Sequence, residues 1–132
     1  MKRHRARPGL LRLLIVDDDP VHQKAVGALA RGLGHQVAAA SDGREALAAL
    51  EAKRFDAILM DLHMPNLDGI ATTLEVFRRF AAERRPLVIA MVGSEGPGDV
   101  PRFLAAGARA CLRKPVSSEE LATLLEAMRP AR

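Results

Sequence analysis

The sequence predicts an α/β domain in which a parallel sheet carries helices on both faces. Short apolar runs, such as Leu87 to Val92, alternate along the chain with longer segments whose apolar residues recur at helical spacing. One run, Ala57 to Met60, contains no polar residue, which is typical of a strand buried on both faces. Strand and helix patterns that alternate in this way indicate parallel pairing through crossover helices.

The length and composition are those of one domain with its own core. A chain of 132 residues with 48% hydrophobic content can bury enough apolar surface for this. The single cysteine excludes an intramolecular disulfide and permits the cytoplasmic location that we predict. The longest apolar runs are far too short to cross a bilayer, and no apolar signal-peptide core precedes the first strand. We therefore expect no membrane partner.

The net charge of +4 comes from the amino-terminal tail, residues 1–9. The tail contains no acid and four basic residues, Lys2, Arg3, Arg5 and Arg7. Removing these four of the 20 basic residues leaves 16, which equals the number of acidic residues. A nucleic-acid-binding domain would carry a basic face in its body. We therefore predict a disordered tail, a folded domain over residues 10–130 and no direct DNA binding.

The chain begins with a strand over Leu11 to Val16, followed by a helix. Asp19 suits the N-cap of this helix and Pro20 its first position. The apolar residues predicted to face the core are Val21, Ala25, Ala28, Leu29 and Leu33. Gly34 ends the helix in a left-handed conformation.

The second strand, Gln36 to Ala40, is poor in branched apolar residues, so we place it at a sheet edge. Asp42 and Glu45 have the spacing of a capping box and start a helix that runs to about Lys53. The core residues of this helix are Ala46, Leu47 and Leu50. The buried run of the third strand then ends at Asp61.

The second half of the chain continues the same alternation. Asp68 caps a helix that extends towards Phe80, and the fourth strand follows over Leu87 to Val92. The glycine-rich residues 93–98 form a flexible loop. A short helix runs from about Asp99 to Ala106.

The last strand, Ala110 to Arg113, is short and therefore suits the other sheet edge. Ser117 and Glu120 form a capping box for a final helix that ends at about Met128. Edge positions for the second and fifth strands fit the strand order 2-1-3-4-5 of flavodoxin-like folds.

Acidic residues follow two strands that this order makes neighbours. Asp17 and Asp18 follow the first strand, and Asp61 ends the third, at the edge where open α/β sheets bind ligands. Three close carboxylates repel each other unless a cation lies among them, and oxygen ligands favour Mg²⁺. Lys114, at the end of the fifth strand, can reach an anion bound at Asp61. Each residue alone has an ordinary structural explanation, but together they predict a phosphoryl site with Asp61 as nucleophile.

Four motifs in this chain resemble those of the receiver domains of two-component response regulators. They are Val16 to Pro20, Met60 to Gly69 (Met-Asp-Leu-His-Met-Pro-Asn-Leu-Asp-Gly), Ala106 to Ala108, and Lys114-Pro115. The resemblance covers about Leu11 to Met128. It implies that Asp61 is the phosphoacceptor and that Lys114 contacts the phosphoryl group. The implied Mg²⁺ ligands are Asp17, Asp18, Asp61 and the main-chain carbonyl of His63, and the implied bond between Lys114 and Pro115 is cis.

The resemblance also implies a signalling module rather than an enzyme with an external substrate. Such a domain catalyses its own phosphorylation and dephosphorylation, and any kinase activity would belong to a longer parent protein. The phosphoryl group would come from a phosphohistidine on a sensor histidine kinase or a histidine phosphotransfer domain. Because the pattern ends with the last helix, we expect no output domain and signalling through protein contacts. A stand-alone receiver and a receiver from a hybrid sensor kinase both fit, and the downstream target is unknown.

Two positions depart from the family pattern. A serine or threonine usually ends strand four, but counting from Lys114 gives Val92 and counting from Asp61 gives Met91. The nearest hydroxyl in sequence belongs to Ser94. Strand five usually carries an aromatic residue, where this chain has Cys111. We therefore expect an intact phosphorylation site and an altered response to phosphorylation.

Two other functions compete with this interpretation. Val92 and Cys111 favour a pseudo-receiver, a protein-interaction module that phosphate does not regulate. An aspartyl-phosphate hydrolase would typically place a second aspartate two residues after the nucleophile, where this chain has His63. A buried strand cysteine is usually inert, so no redox role is predicted. The four histidines, His4, His22, His35 and His63, show no metal-ligand spacing.

Overall fold

The computed structural model describes residues 9–93 and 98–128. In chain order the elements are β1 (Arg12–Val16), α1 (Pro20–Gly32), β2 (Gln36–Ala40), α2 (Gly43–Ala52), β3 (Ala57–Asp61), α3 (Gly69–Arg79), β4 (Leu87–Val92), α4 (Asp99–Ala106), β5 (Ala110–Arg113) and α5 (Ser118–Ala127). Every strand pair is parallel, and the order is β2-β1-β3-β4-β5. The predicted fold class, strand order and edge strands are therefore confirmed. Most of the predicted tail, and Ser94, lie outside the described residues.

Two apolar clusters cover the two faces of the sheet. Alternate residues of the central strands, such as Ile58 and Met60, pack against α2, α3 and α4. The intervening residues, such as Leu59, pack against α1 and α5. Because successive side chains of a strand point to opposite faces, both sets are buried, and the strands contain continuous apolar runs.

The predicted core face of α1 is right for Leu29 and Leu33, which are partly buried against the cluster on that side of the sheet, and wrong for the other three residues. Val21 is 77% exposed, and Ala25 and Ala28 are also exposed, while the residues that this helix buries are Val26, Gly27 and Ala30. The apolar residues of α1 allow two overlapping helical faces, and polar contacts select between them. His22 and Gln23 turn towards the ends of β1 and β2, which places the Val26 and Ala30 side on the sheet.

The helix caps explain why these segments start where they do. The side chains of Asp19, Asp42, Asp68 and Ser117 each accept a hydrogen bond from a main-chain N–H in the first turn of their helix. In the predicted capping box of α2, Glu45 accepts from the N–H of Ser41 rather than from that of Asp42. None of the helices in the described part of the chain is both long and apolar enough to cross a membrane.

The end of α4 depends on a glycine with close neighbours. Gly107 has φ of 125°, a conformation that favours glycine. A Cβ atom there would lie 2.3 Å from Cε1 of Phe77 on α3. Arg85 also contacts this ring, with its guanidinium carbon 4.3 Å from the ring centroid. The contact fixes α4 against α3 and so positions one side of the site described below.

Candidate functional site at the strand ends

Three carboxylates meet at the carboxyl ends of β1 and β3. The side chains of Asp17, Asp18 and Asp61 each offer an oxygen atom, and these atoms lie within 4.8 Å of one another. Asp17 is fully buried and Asp61 is 5% exposed, whereas Asp18 is exposed. The register of β1 and β3 pairs Val16 with Met60, so the residues that follow reach the same edge of the sheet. The structure thus brings together the three acids that the sequence predicted to converge.

Asp17 is held through both its main chain and its side chain. Its N–H donates to the carbonyl of Ala40 at 3.1 Å, and its own carbonyl accepts from Nε2 of Gln23 at 2.9 Å. Its Oδ1 accepts from the N–H of Asp19 at 2.9 Å, and its Oδ2 contacts Nδ1 of His22. A buried carboxylate is costly without hydrogen-bond partners, and the contacts at Oδ1 and Oδ2 supply them.

His22 is the site residue that the sequence analysis missed. It lies in the first turn of α1, its side chain is 20% exposed, and it lines the same cavity as Asp61 and Lys114. Its other ring nitrogen, Nε2, is buried and has no hydrogen-bond partner within the described residues. Its place in the turn after the acidic residues was the one available signal. That signal was insufficient because the partner of His22 depends on how α1 is rotated against the sheet.

Lys114 forms an ion pair with Asp61. Its Nζ donates to Oδ1 of Asp61 at 2.6 Å, and the side chains are 28% and 7% exposed. The N–H of Lys114 donates to the carbonyl of Val92 at 2.8 Å, which continues the pairing of β4 and β5 beyond Arg113. The bond from Lys114 to Pro115 is cis. Lys114 is therefore already in contact with Asp61, the residue at which it was predicted to reach a bound anion.

The surroundings of Asp61 disfavour its charged form. Burial is the largest cause and raises the pKa of this carboxyl above its ordinary value, and the negative charge of Asp17 raises it further. The hydrogen bond and charge of Lys114 oppose the rise in pKa but do not cancel it. A second cation beside Asp61 would therefore stabilise the carboxylate.

A cavity of about 360 Å³ opens above these residues. It is lined by His22, Asp61, Leu62, His63, Met91, Val92, Gly93, Asp99, Lys114 and Pro115. Met91 pairs with Asp61 across β3 and β4 and belongs to the cluster under α1 and α5. Val92 belongs to the opposite cluster and is 7% exposed. Both candidate positions for the hydroxyl therefore line the cavity, and neither side chain can donate a hydrogen bond there.

Gly69 brings the start of α3 close to the end of β3. A Cβ atom at this position would lie 2.1 Å from the carbonyl oxygen of Asp61 and 2.9 Å from Cζ of Phe103. The N–H of Gly69 donates to the carbonyl of Leu62 at 2.8 Å. The glycine after the capping Asp68 was visible in the sequence, but its role in this close approach was not.

Cys111 lies apart from the acidic cluster. It is half-buried rather than buried, because β5 is an edge strand, and it packs against the cluster that contains Val92. Burial raises the pKa of its thiol, which disfavours the reactive thiolate. The side chain therefore acts as a small apolar group at the position where the family usually has a ring.

The donor set of the acidic cluster fits Mg²⁺. Asp17, Asp18 and Asp61 offer only oxygen atoms, which is the donor type that Mg²⁺ prefers, and the open cavity leaves room for retained waters. The raised pKa of Asp61 shows that the protein compensates its charge incompletely. The side chain of His63 is exposed at the edge of this cavity.

Comparisons with known proteins agree with this geometry. A family model described as the response regulator receiver domain matches residues 13–126. The gliding motility regulatory protein of Myxococcus xanthus is 40% identical over 104 residues, and the match covers 79% of this chain and 13% of that protein. The signal transduction histidine-protein kinase BarA of Shigella flexneri is 32% identical over 120 residues, which cover 91% of this chain and 13% of the kinase. The chain therefore spans only a small part of the length of these relatives.

A solved structure with the same fold carries a metal. It is the crystal structure of the receiver domain of a sensor histidine kinase from Pseudomonas aeruginosa, with a magnesium ion coordinated in its active-site cleft. It is 37% identical to this chain, has a TM-score of 0.81, and the alignment covers 90% of this chain and 97% of that one.

Proposed function

The chain belongs to the response regulator receiver domain family, and from this we propose that Asp61 accepts a phosphoryl group in a reaction that depends on Mg²⁺. One observation carries the proposal. The carboxylate of Asp61 lies within 4.8 Å of two further acids and accepts a hydrogen bond from Lys114 in the same cavity. Two cationic positions, one metal and one lysine, would therefore flank the atom that receives the phosphoryl group.

The phosphoryl donor that we propose is a phosphohistidine on a sensor histidine kinase or a histidine phosphotransfer domain. An oxygen of Asp61 attacks phosphorus, and the phosphorus–nitrogen bond breaks with its electron pair passing to the imidazole of the donor. We propose that Asp17, Asp18, Asp61 and the carbonyl of His63 hold the metal. When bound there, Mg²⁺ would neutralise charge on the phosphoryl oxygens.

Lys114 has a matching role on the other side of Asp61. Its ammonium is already in contact with Oδ1, so an acyl phosphate formed at Asp61 would place phosphoryl oxygens within its reach. A compact ammonium with three donors can pass from one oxygen to another by small rotations. We therefore propose that Lys114 exchanges a contact with the carboxylate for one with the phosphoryl group.

We propose that residues 10–130 act as one receiver domain that signals through protein contacts in the cytoplasm and catalyses its own phosphorylation and dephosphorylation. One relative is a histidine-protein kinase, which is consistent with a histidine-linked donor. A stand-alone receiver and a receiver within a hybrid kinase both fit this proposal. The relatives are much longer than the region that matches this chain.

The alternative function is a pseudo-receiver that binds a partner without phosphorylation. The absence of a hydroxyl at Val92 and Met91 and of a ring at Cys111 favours it. These residues affect the response to phosphate rather than its acceptance, and the groups that would accept phosphate are all present. Phosphorylation is therefore the stronger proposal.

Intact-mass measurement after incubation with Mg²⁺ and acetyl phosphate tests the proposal. We expect wild type to gain the mass of one phosphoryl group, Asp61→Asn to gain none, and EDTA to prevent the gain. Asp99→Asn is the matched control, because it neutralises another carboxylate that lines the same cavity. Failure of wild type to form an adduct, also with a competent phosphohistidine donor, would contradict the proposal and favour the pseudo-receiver.

A further inference from the structure

Both carboxylate oxygens of Asp17 are already occupied by donors from the protein. Oδ1 accepts from the N–H of Asp19, and Oδ2 is in contact with Nδ1 of His22. The carboxylate is fully buried, so bulk water does not supply further partners. A cation that binds at Oδ2 therefore meets a ring nitrogen at the same atom.

The contact leaves the imidazole of His22 in an unfavourable environment. An ionised carboxylate only accepts hydrogen bonds, so Nδ1 carries the hydrogen and donates it. At the same time Nε2 is buried without a partner, which is costly for a polar atom. The side chain lies in the first turn of α1 and is 20% exposed, so a change of rotamer can carry the ring into solvent. The ring would then satisfy both nitrogens with water.

The three acids therefore differ in what occupies them before a metal binds. The carboxylate of Asp61 contacts the ammonium of Lys114, and that of Asp17 contacts the imidazole of His22. No hydrogen bond or ion pair reaches the side chain of Asp18 within the described residues. The contact of Lys114 belongs to the phosphorylation site proposed above. The contact of His22 has no role in that chemistry and is made to Asp17, one of the proposed metal ligands.

We propose that His22 competes with the metal ion for Asp17 and so lowers the affinity of the site for Mg²⁺. This inference rests on the metal site of the proposed function. The N–H of His22 directs the positive end of its dipole at the oxygen that a cation would approach. Metal binding at this oxygen releases the ring, and the lost contact subtracts from the binding free energy of the metal.

Calorimetric titration of the metal-free protein with Mg²⁺ alone tests the proposal. We expect His22→Ala to bind Mg²⁺ about tenfold more tightly than wild type, since it removes the competing donor. Asn carries an amide nitrogen close to the position of Nδ1, so His22→Asn should keep an affinity near that of wild type. Val21→Ala is a control, because this side chain lies in the same turn of α1 as His22 and is exposed to solvent.

Imidazole resonances of the wild-type protein give a second readout. On addition of Mg²⁺ to wild type, the ring signals of His22, assigned with His22→Asn, should move to those of a solvated histidine. The ring of His35, which accepts a hydrogen bond from the N–H of Leu11 far from the cluster, should not move.

Several results would overturn the proposal. Unchanged or weaker affinity of His22→Ala would show that the imidazole is neutral towards the metal or supports it. An affinity of His22→Asn equal to that of His22→Ala would assign the effect to ring size rather than to the N–H. Absence of Mg²⁺ binding by every variant would also reject it. Because the titration involves no phosphoryl transfer, lack of an adduct on Asp61 with these affinities intact would reject the proposed function alone.

Discussion

Two sides of the candidate site differ sharply in chemistry. The acidic side, formed by Asp17, Asp18, Asp61 and Lys114, is polar and contains the ion pair of Lys114 with Asp61. The β4 side, formed by Met91 and Val92, is apolar and buried. The first side contains the groups that we propose accept a phosphoryl group, and the second has no hydroxyl that could bind it. The comparison suggests that acceptance and transmission of the signal can vary independently in one domain.

The missing hydroxyl removes a hydrogen bond whose free energy is large enough to affect switching. A hydrogen bond to a charged group contributes roughly 1.5–3 kcal/mol. Two conformers of a switching protein are typically separated by a free energy of similar size, a few kcal/mol. A valine at the end of β4 therefore removes an interaction large enough to bias the switch. We accordingly expect phosphorylation to change the surface around α4 and β5 less than is usual for the family.

The largest disruption of the acidic side should come from Gly69→Ala. The new Cβ would approach the carbonyl of Asp61 to 2.1 Å, and this backbone atom cannot move aside cheaply. We expect the free energy of unfolding to fall by about 1–3 kcal/mol, as for other overpacked sites, and the rate of phosphorylation to fall with it. Chemical denaturation and intact mass measure the two effects.

Gly32→Ala is the matched control for this variant. Gly32 is also helical, and a Cβ there would meet nothing within 4 Å. Its free energy of unfolding should stay the same or increase, because alanine favours helix. A Gly69→Ala protein as stable and as active as the control would show that the acidic side tolerates movement of α3.

A smaller effect on the same side is expected from Asp18→Asn. The variant removes one of three neighbouring negative charges, so the metal-free protein should be stabilised by at most about 1 kcal/mol, a value that salt reduces. Mg²⁺ should raise the melting temperature of the variant less than that of wild type, since binding stabilises the fold by mass action. A variant that is less stable than wild type in EDTA would mean that Asp18 serves mainly the local structure of the loop.

The raised pKa of Asp61 predicts how stability depends on pH in EDTA. Its folded-state pKa lies above the unfolded value, so the folded protein binds more protons than the unfolded chain between the two values. The contribution of Asp61 to stability therefore decreases as pH rises through this window, and the destabilisation persists at higher pH. Asp61→Asn should remove this pH dependence. Denaturant titrations from about pH 4, the ordinary pKa of an aspartate, to about neutral pH measure it. Identical pH profiles of the two proteins would contradict the prediction.

The smallest energetic change, on the β4 side, is the most informative for signalling. Val92→Thr supplies a hydroxyl without changing side-chain volume much, and we expect it to leave phosphorylation of Asp61 intact. Amide shifts between the free protein and its beryllofluoride complex should be small over residues 99–113 in wild type and larger in the variant. Val92→Ala is the control, because it changes the same side chain without adding a hydroxyl.

The outcome for wild type decides whether the two sides are uncoupled. Large shifts over residues 99–113 in wild type would show that the signal crosses the apolar side by another path. Ser94→Ala then tests the nearest hydroxyl in the sequence. If the shifts survive that substitution as well, a different set of residues carries the response.

Much of this architecture could be predicted from sequence, because its determinants are local. The buried runs and the capping residues Asp19, Asp42 and Asp68 each act within a few residues, and the strand order follows from the weak edge strands. Convergence of the acids follows from that order. The rotation of α1 could not be predicted, since its apolar residues allow two faces. The contact of His22 with Asp17 depends on this rotation and was missed for the same reason.

The main-chain hydrogen bonds of Asp17 have a thermodynamic consequence for ion binding. Its N–H donates to Ala40 and its carbonyl accepts from Gln23, so the loop after β1 is ordered before an ion arrives. Little chain entropy then remains to be lost, and the entropy of association should be dominated by water released from the ion and the carboxylates. The amide proton of Asp17 should accordingly exchange slowly with deuterium in the ion-free protein. Gln23→Ala should speed that exchange and make the entropy of association less favourable.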